Sequence, residues 1–241
     1  MTKREKKSLR RMPPEDRRAQ ILEAAIEYFS EAGFASQTRE LSKRIGISQP
    51  LLYRYFASKN ALIQEAFQVV FLNQWDPQWV DTLKRRGLSL RDRLVQFYHL
   101  YAKATYRAEW IRIYMYAGLA GMSLNDKYLQ IVRDRLLVVM CNEFRQEFLA
   151  GHPRQAALSK LPVSRREIEM AWNLHGSMFY WAVRSNIFKA GNRLNFDQKT
   201  FDAVDLFLAG AKTLYPAILL NKSGDKNSLL QKTKGSASKA S

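Results

Sequence analysis

The sequence predicts an all-α protein, with a short N-terminal helix-turn-helix region followed by a larger helical part. Apolar residues recur at the helical period, as in Leu22, Ala25, Ile26 and Phe29, spaced i, i+3, i+4, i+7. Helix-start residues stand where such stripes begin: Ser48 with Pro50, Ser58, Ser89, and the capping box Ser164-Arg165-Arg166-Glu167. No stretch alternates apolar and polar residues over the length of a strand, and no internal repeat is found.

The elements follow in order. Residues 1–12 are basic and without periodicity, and 1–16 reads as a flexible basic arm. Pro13-Pro14 stops the arm and suits a first helical turn, where a missing N–H costs nothing. The helix that follows carries the Leu22 to Phe29 stripe, widened by Ile21 and Tyr28, with Gly33 as its C-cap. A short helix over Gln37 to Gly46 places Leu41 and Ile45 on one face; its cap is Ser36 or Thr38. Gly46 ends it, Ser48 caps a helix through Leu52 and Phe56, and Ser58 caps a fourth with Leu62, Ala66 and Phe67 inward. Beyond residue 70, Ser89 opens a helix through Leu94, Phe97, Tyr98 and Tyr101, Trp110 to Leu119 is a compact apolar stretch, and one long helix covers Asp126 to Phe148. The capping box opens a helix through Ala171, Trp172, His175, Phe179 and Tyr180, and Asp197 to Tyr215 is the last periodic segment. Residues 221–241, rich in Lys, Ser and Gly, read as a disordered tail. The expected organisation is therefore arm 1–16, helix-turn-helix domain 17–67, helical domain 68–220 and tail 221–241.

Composition narrows the function. The chain has 241 residues, 46% hydrophobic, which is enough for a small module and a second core. A net charge of +17 points to a polyanionic partner, nucleic acid or an anionic membrane surface. The single cysteine, Cys141, fits a reducing compartment and reads as a small buried hydrophobe. No apolar run has the length of a membrane span, and no apolar segment follows the basic N-terminus, so a cytoplasmic protein is expected.

Two short helices joined by Gly46-Ile47-Ser48 have the form that lets the second enter a major groove. Leu41, Ile45, Ile47, Leu52 and Phe56 form one small core that sets the angle between them. The opposite side of the second helix then presents Gln49, Leu51, Tyr53 and Arg54. Gln can bond adenine bidentately, Arg can bond guanine, an apolar group can touch a thymine methyl, and Tyr hydroxyls bond phosphates. Tyr53 and Tyr55 also fit half-buried packing, and Lys43 and Arg54 also fit solvated surface charge.

Thr38-Arg39-Glu40-Leu41, Gly46-Ile47-Ser48-Gln49-Pro50, and Leu52-Tyr53-Arg54-Tyr55-Phe56 with Lys59 resemble the TetR family of bacterial transcriptional regulators. The resemblance covers about residues 17–67. Tyr55 stands where the family often has histidine and Ile47 where it often has valine; Ser42 and Ile45 stand where alanine is usual. Position by position, the resemblance implies that Thr38 bonds a phosphate and Arg39 reaches a base edge or phosphate. It implies that Gln49, Pro50 and Leu51 lie against bases, and that Tyr53, Tyr55 and Lys59 hold phosphates. With Lys43 and Arg54 these residues are the candidate DNA-binding set.

For residues 68–220 the resemblance implies a ligand-binding and dimerisation domain, a homodimer through the last two long helices, and a palindromic operator on double-stranded DNA. A small, largely apolar effector would release the DNA, and repression is the family's usual mode. Trp110, Tyr114, Trp172, His175 and Phe179 are the candidate effector contacts, although each taken singly fits ordinary core or dimer interface better. No histidine has metal-ligand spacing, and no cofactor is expected. An enzyme is disfavoured by the lack of a nucleophile elbow or phosphate-binding glycine loop. An architectural DNA-coating protein and a peripheral membrane protein are the other readings; base-facing Gln49 and Arg39 argue against the first, and charge spread over arm, body and tail against the second.

Overall fold

The computed structural model describes residues 13–190 and 194–220. The described residues contain helices and turns and no strand. The helices are α1 (Pro14–Ala32), α2 (Thr38–Ile45), α3 (Gln49–Tyr55), α4 (Lys59–Phe67), α5 (Gln78–Lys84), α6 (Leu90–Thr105), α7 (Ala108–Leu119), α8 (Leu124–Val132), α9 (Val138–Phe148), α10 (Gln155–Ser159), α11 (Arg165–Asn186) and α12 (Phe196–Leu220). The residues of the arm before Pro13 and the 221–241 tail lie outside the described residues.

Two compact units emerge. The first comprises residues 13–76 with Ala102–Gln130 and Ala182–Ala190; the second comprises Pro77–Tyr101, Ile131–Trp181 and residues 194–220. This grouping differs from the expected linear division at residue 67, because the N-terminal helices share a compact unit with α7 and most of α8. α1 starts at Pro14, inside the 1–16 span expected for the arm, so Glu15 and Asp16 form its acidic first turn, the end of a helix that favours negative charge.

In the first unit α1 packs against α2, α4 and α7. Its inward face is Ile21, Leu22, Ala25, Tyr28 and Phe29, while Ile26, expected in the stripe, is half-buried. Gly33 ends α1 at φ 72°, and a Cβ built there would lie 3.2 Å from the Tyr116 ring of α7. Both the backbone angle and the close approach therefore call for glycine. Phe71 is ringed by Phe67, Trp110 and Tyr128, with centroids 4.1, 4.6 and 5.3 Å away.

The second unit is held partly by buried charge. Ser164 and Glu167 form the expected capping box: Glu167 N–H donates to Ser164 Oγ at 3.4 Å, and Ser164 N–H donates to Glu167 Oε2 at 2.8 Å. The same carboxylate accepts from Arg145 Nε at 2.7 Å and Nη2 at 2.9 Å, and from Tyr215 OH at 3.1 Å. Arg145 and Glu167 are 1% and 0% exposed, so this glutamate is both a helix cap and the acceptor of a buried ion pair. These donors hold its pKa down at about 2 against the opposing effect of burial. Burial pushes the Cys141 thiol up to about 12, as suits a buried apolar role.

Two helices differ from expectation in detail. The long helix over Asp126 to Phe148 begins at Leu124 and carries one π-type turn, Arg133–Leu137, between α8 and α9. The last helix runs through Pro216 to Leu220 rather than stopping at Tyr215. Proline there has no N–H to donate to the preceding turn. Among the described residues no helix is long and apolar enough to cross a membrane, and no group of three His, Cys, Asp or Glu could hold a metal ion.

Candidate nucleic-acid interface

The local sequence dictates the turn. Gly46 adopts the left-handed conformation, φ 71° and ψ 33°, which a residue with a Cβ reaches only at a cost. Its N–H and that of Ile47 close onto the carbonyls of Lys43 and Ser42 at 3.1 and 3.0 Å, completing the end of α2. Ser48 then caps α3, its Oγ accepting from Leu51 N–H at 3.3 Å, with Pro50 in the first turn. Ser58 does the same for α4 through Ala61 N–H at 3.1 Å.

The apolar underside of the motif is Leu41, Leu52 and Phe56, at 0%, 0% and 2% exposure. Ile45 and Ile47, expected in the same core, are half-buried at its edge. Tyr28 OH donates to the Gln37 carbonyl at 3.1 Å and ties the entry of α2 to α1. The Arg18 guanidinium lies 4.8 Å from the Phe56 ring centre and pairs with Glu65, joining α1, the end of α3 and α4.

Gln49, Pro50, Tyr53 and Arg54 are exposed on α3, and Leu51 and Tyr55 are half-buried. Arg39 and Lys43 are exposed on α2, and Lys59 is half-buried in the first turn of α4. Lys43 pairs with Glu40 at 3.1 Å, and Arg44 with Glu31, so part of the basic charge is already matched by acids. Arg39 and Arg54 make no ion pair among the described residues.

Thr38 stands apart from the other candidates. It is 5% exposed, and its Oγ1 accepts from Gln49 Nε2 at 3.0 Å and shares a hydrogen bond with Tyr53 OH at 2.9 Å. Neither open choice for the α2 cap holds: Gln37 occupies the cap position without a side-chain bond, Ser36 Oγ donates to the Gly33 carbonyl at 2.6 Å, and Thr38 is the first helical residue. The hub at Thr38 escaped sequence reasoning because its partners lie 11 and 15 residues away, outside any helical period.

The candidate effector contacts fall in different units. Trp110 and Tyr114 belong to the first, where their rings stack with centroids 5.5 Å apart and Tyr128 stands edge-on to both. Trp172, His175 and Phe179 belong to the second. There His175 is 6% exposed among Tyr101, Trp172 and Tyr98, with centroids 5.1, 5.5 and 6.0 Å away. Burial lowers its pKa to about 4 and raises that of Tyr98. His175 Nδ1 and Tyr98 OH are buried without a hydrogen-bond partner among the described residues. A depression of about 290 Å³ in the same unit is lined by Leu90, Arg91, Phe148, Leu208 and Lys212 among others, and by none of the candidates.

Comparison with known proteins agrees with this motif. Residues 21–66 match the family model described as bacterial regulatory proteins, tetR family. The HTH-type transcriptional activator FasR of Mycolicibacterium smegmatis is 41% identical over 59 residues, an alignment that spans 24% of this chain and only 27% of that relative. A TetR-like transcriptional regulator from a Rhodococcus species shares the fold at TM-score 0.58 and 23% identity, covering 84% of this chain and all of the other. A tetR-family regulator from Streptomyces coelicolor does so at TM-score 0.57 and 18% identity, covering 86% of each chain. Residues 21–66 thus carry the helix-turn-helix module of the bacterial tetR-family regulatory proteins, and the chain shares its all-helical fold with TetR-like structures.

Proposed function

We propose that the protein is a homodimeric, ligand-responsive repressor that reads a palindromic operator with α2 and α3 and leaves it when a small, largely apolar effector binds. The observation that carries this is the two-sidedness of α3. Leu52 is fully buried beneath it, while Gln49, Tyr53 and Arg54 stay exposed, chemically suited to base edges and phosphates. Arg39 and Lys43 on α2, with Pro50, Leu51, Tyr55 and Lys59, extend that surface.

One recognition helix reads too few bases, and two related by a two-fold axis read half-sites one helical turn apart. An apolar stripe on α12 supports such pairing: Leu206 and Leu214 are 78% and 54% exposed, with Ala209, Gly210 and Ala217 exposed on the same helix. The effector reading rests on His175 and Tyr98, whose unpartnered polar atoms sit among aromatic rings. A flat apolar molecule with one hydrogen-bonding group suits them. Its differential affinity for two states of the dimer would release DNA. Repression follows the family's usual mode, whereas the relative described above is named an activator; a reporter that rises when the gene is deleted supports repression, and one that falls contradicts it.

Selection of bound duplexes from a random pool tests the core of this function. Enrichment of an inverted repeat with half-site centres about 10 base pairs apart, or a multiple of that, is expected. A pool with no enriched sequence, or one without symmetry, would overturn it.

A further inference from the structure

From the bonds at the start of α2 we infer that Thr38 is a positioning residue for base reading: its hydroxyl fixes the orientation of the Gln49 amide and primes Tyr53 to donate to the DNA backbone. The inference rests on the proposed reading of α3 as the recognition helix. Three groups meet at one oxygen. Thr38 is 5% exposed, Gln49 Nε2 donates to its Oγ1 at 3.0 Å, and Tyr53 OH lies 2.9 Å from the same atom.

A side-chain amide has two ends of similar shape and opposite hydrogen-bonding sense, and a free glutamine on a surface presents either one. Donating to Thr38 removes that freedom. One N–H is committed to the hydroxyl, which leaves Oε1 and the second N–H to face outward side by side. That pair is the complement of adenine N6–H and N7, and it mismatches guanine, whose O6 and N7 both accept. Without the bond, the amide can turn to offer N–H groups to guanine, and selectivity for adenine falls.

The same hydroxyl settles the sense of the Tyr53 bond. Either oxygen can be the donor in the free protein. A phosphate only accepts, so Tyr53 contributes to it only when its own O–H points outward and Thr38 donates to the tyrosine oxygen. Thr38 has one proton and two lone pairs, which permits it to accept from Gln49 and donate to Tyr53 at once. Each bond polarises the next, so the chain from Gln49 through Thr38 and Tyr53 to phosphate strengthens as it closes. A near-buried threonine thus couples a sequence-reading contact to a sequence-independent one, without touching DNA by its hydroxyl.

The test compares full-length Thr38→Val, Thr38→Ser, Tyr53→Phe and Gln49→Ala by selection from random duplexes and by affinity on the selected site, with thermal unfolding of each. Thr38→Val keeps the shape and removes the hydroxyl. It is expected to lose about tenfold in preference at the one base pair that Gln49→Ala also relaxes, and to lose affinity. Thr38→Ser restores the preference. Tyr53→Phe weakens binding to all duplexes alike and keeps the preference. Uniform weakening by Thr38→Val with every base preference intact would make Thr38 a simple phosphate contact and overturn the inference. So would failure of Thr38→Ser to rescue. If Thr38→Val does not fold, the Gln49 side-chain amide of the wild-type protein, assigned by its disappearance in Gln49→Ala, decides. Protection of one of its two protons from solvent exchange supports the clamp, and exchange like that of other surface glutamines refutes it. Preference unchanged in Gln49→Ala would instead remove the reading of α3 on which the clamp depends.

Discussion

In the first unit the side chains proposed to face nucleic acid lie, Thr38 apart, at or near the surface over an apolar floor, and the bonds among Thr38, Gln49 and Tyr53 join neutral groups. In the second unit the polar chemistry is inside: Arg145 and Glu167 are almost wholly buried, and Tyr215, the Leu161 and Pro162 carbonyls and Ser164 complete their hydrogen bonds. Arg93 and Glu143 form a second buried pair, with Arg86 reaching the same carboxylate. The difference separates two kinds of work. Surface groups on α3 can be exchanged for others without disturbing what holds the helix, which lets a regulator change its target. Buried charge cannot be changed one residue at a time, because each partner left behind is an uncompensated ion.

The largest effect should come from the second unit. Glu167→Ala strands Arg145 in the interior and removes a helix cap together, and should destabilise the protein by about 3–5 kcal/mol in denaturant unfolding. A loss below about 1 kcal/mol, the range of exposed pairs, would show that water reaches the site.

A smaller effect should follow at the turn of the first unit. Gly46→Ala meets no atom within 4 Å, so its cost is purely that of the left-handed backbone, about 1–2 kcal/mol. Thermal unfolding measures it. No loss would mean that the turn relaxes into another conformation, and the angle between α2 and α3 would then change with it.

Acid sharpens the contrast further. His175 stays neutral in the folded protein down to about 4 instead of 6.5, so the unfolded chain binds its proton first and stability falls as pH drops from 6.5 toward 4. Glu167, held at about 2 instead of 4.5, contributes stability that is present above 4.5 and lost as pH falls toward 2. His175→Phe should flatten the upper window and leave the lower one. A pH profile identical to wild type between 6.5 and 4 would show that His175 is not the group responsible.

The two regions were unequally legible in the sequence. The ends of α2, α3 and α4 follow from Gly46, Ser48 and Ser58, because caps and left-handed turns act over three or four residues. The capping box at Ser164 was legible for the same reason. Its second use was not: nothing local marks Arg145 or Tyr215 as partners of Glu167, 22 and 48 residues away. Thr38 illustrates both sides. Its place at the head of α2 was visible, but its burial and its bonds to Gln49 and Tyr53 depend on how α2 and α3 cross. The π-type turn at Arg133–Leu137 inserts into an unbroken apolar periodicity, so the segment reads as one regular helix. The aromatic set of the C-terminal region was visible as composition, yet its division between Trp110 with Tyr114 and Trp172 with His175 is a property of packing alone.

The outward side of α3 is proposed to read DNA independently of the apolar floor that holds it. Gln49→Ala tests this most directly when unfolding free energy and base preference are measured on the same preparation. The expected result is stability within about 0.5 kcal/mol of wild type, as for a surface change, together with a preference relaxed by about 1–3 kcal/mol at a single base pair. Loss of stability accompanied by equal weakening on every duplex would contradict it.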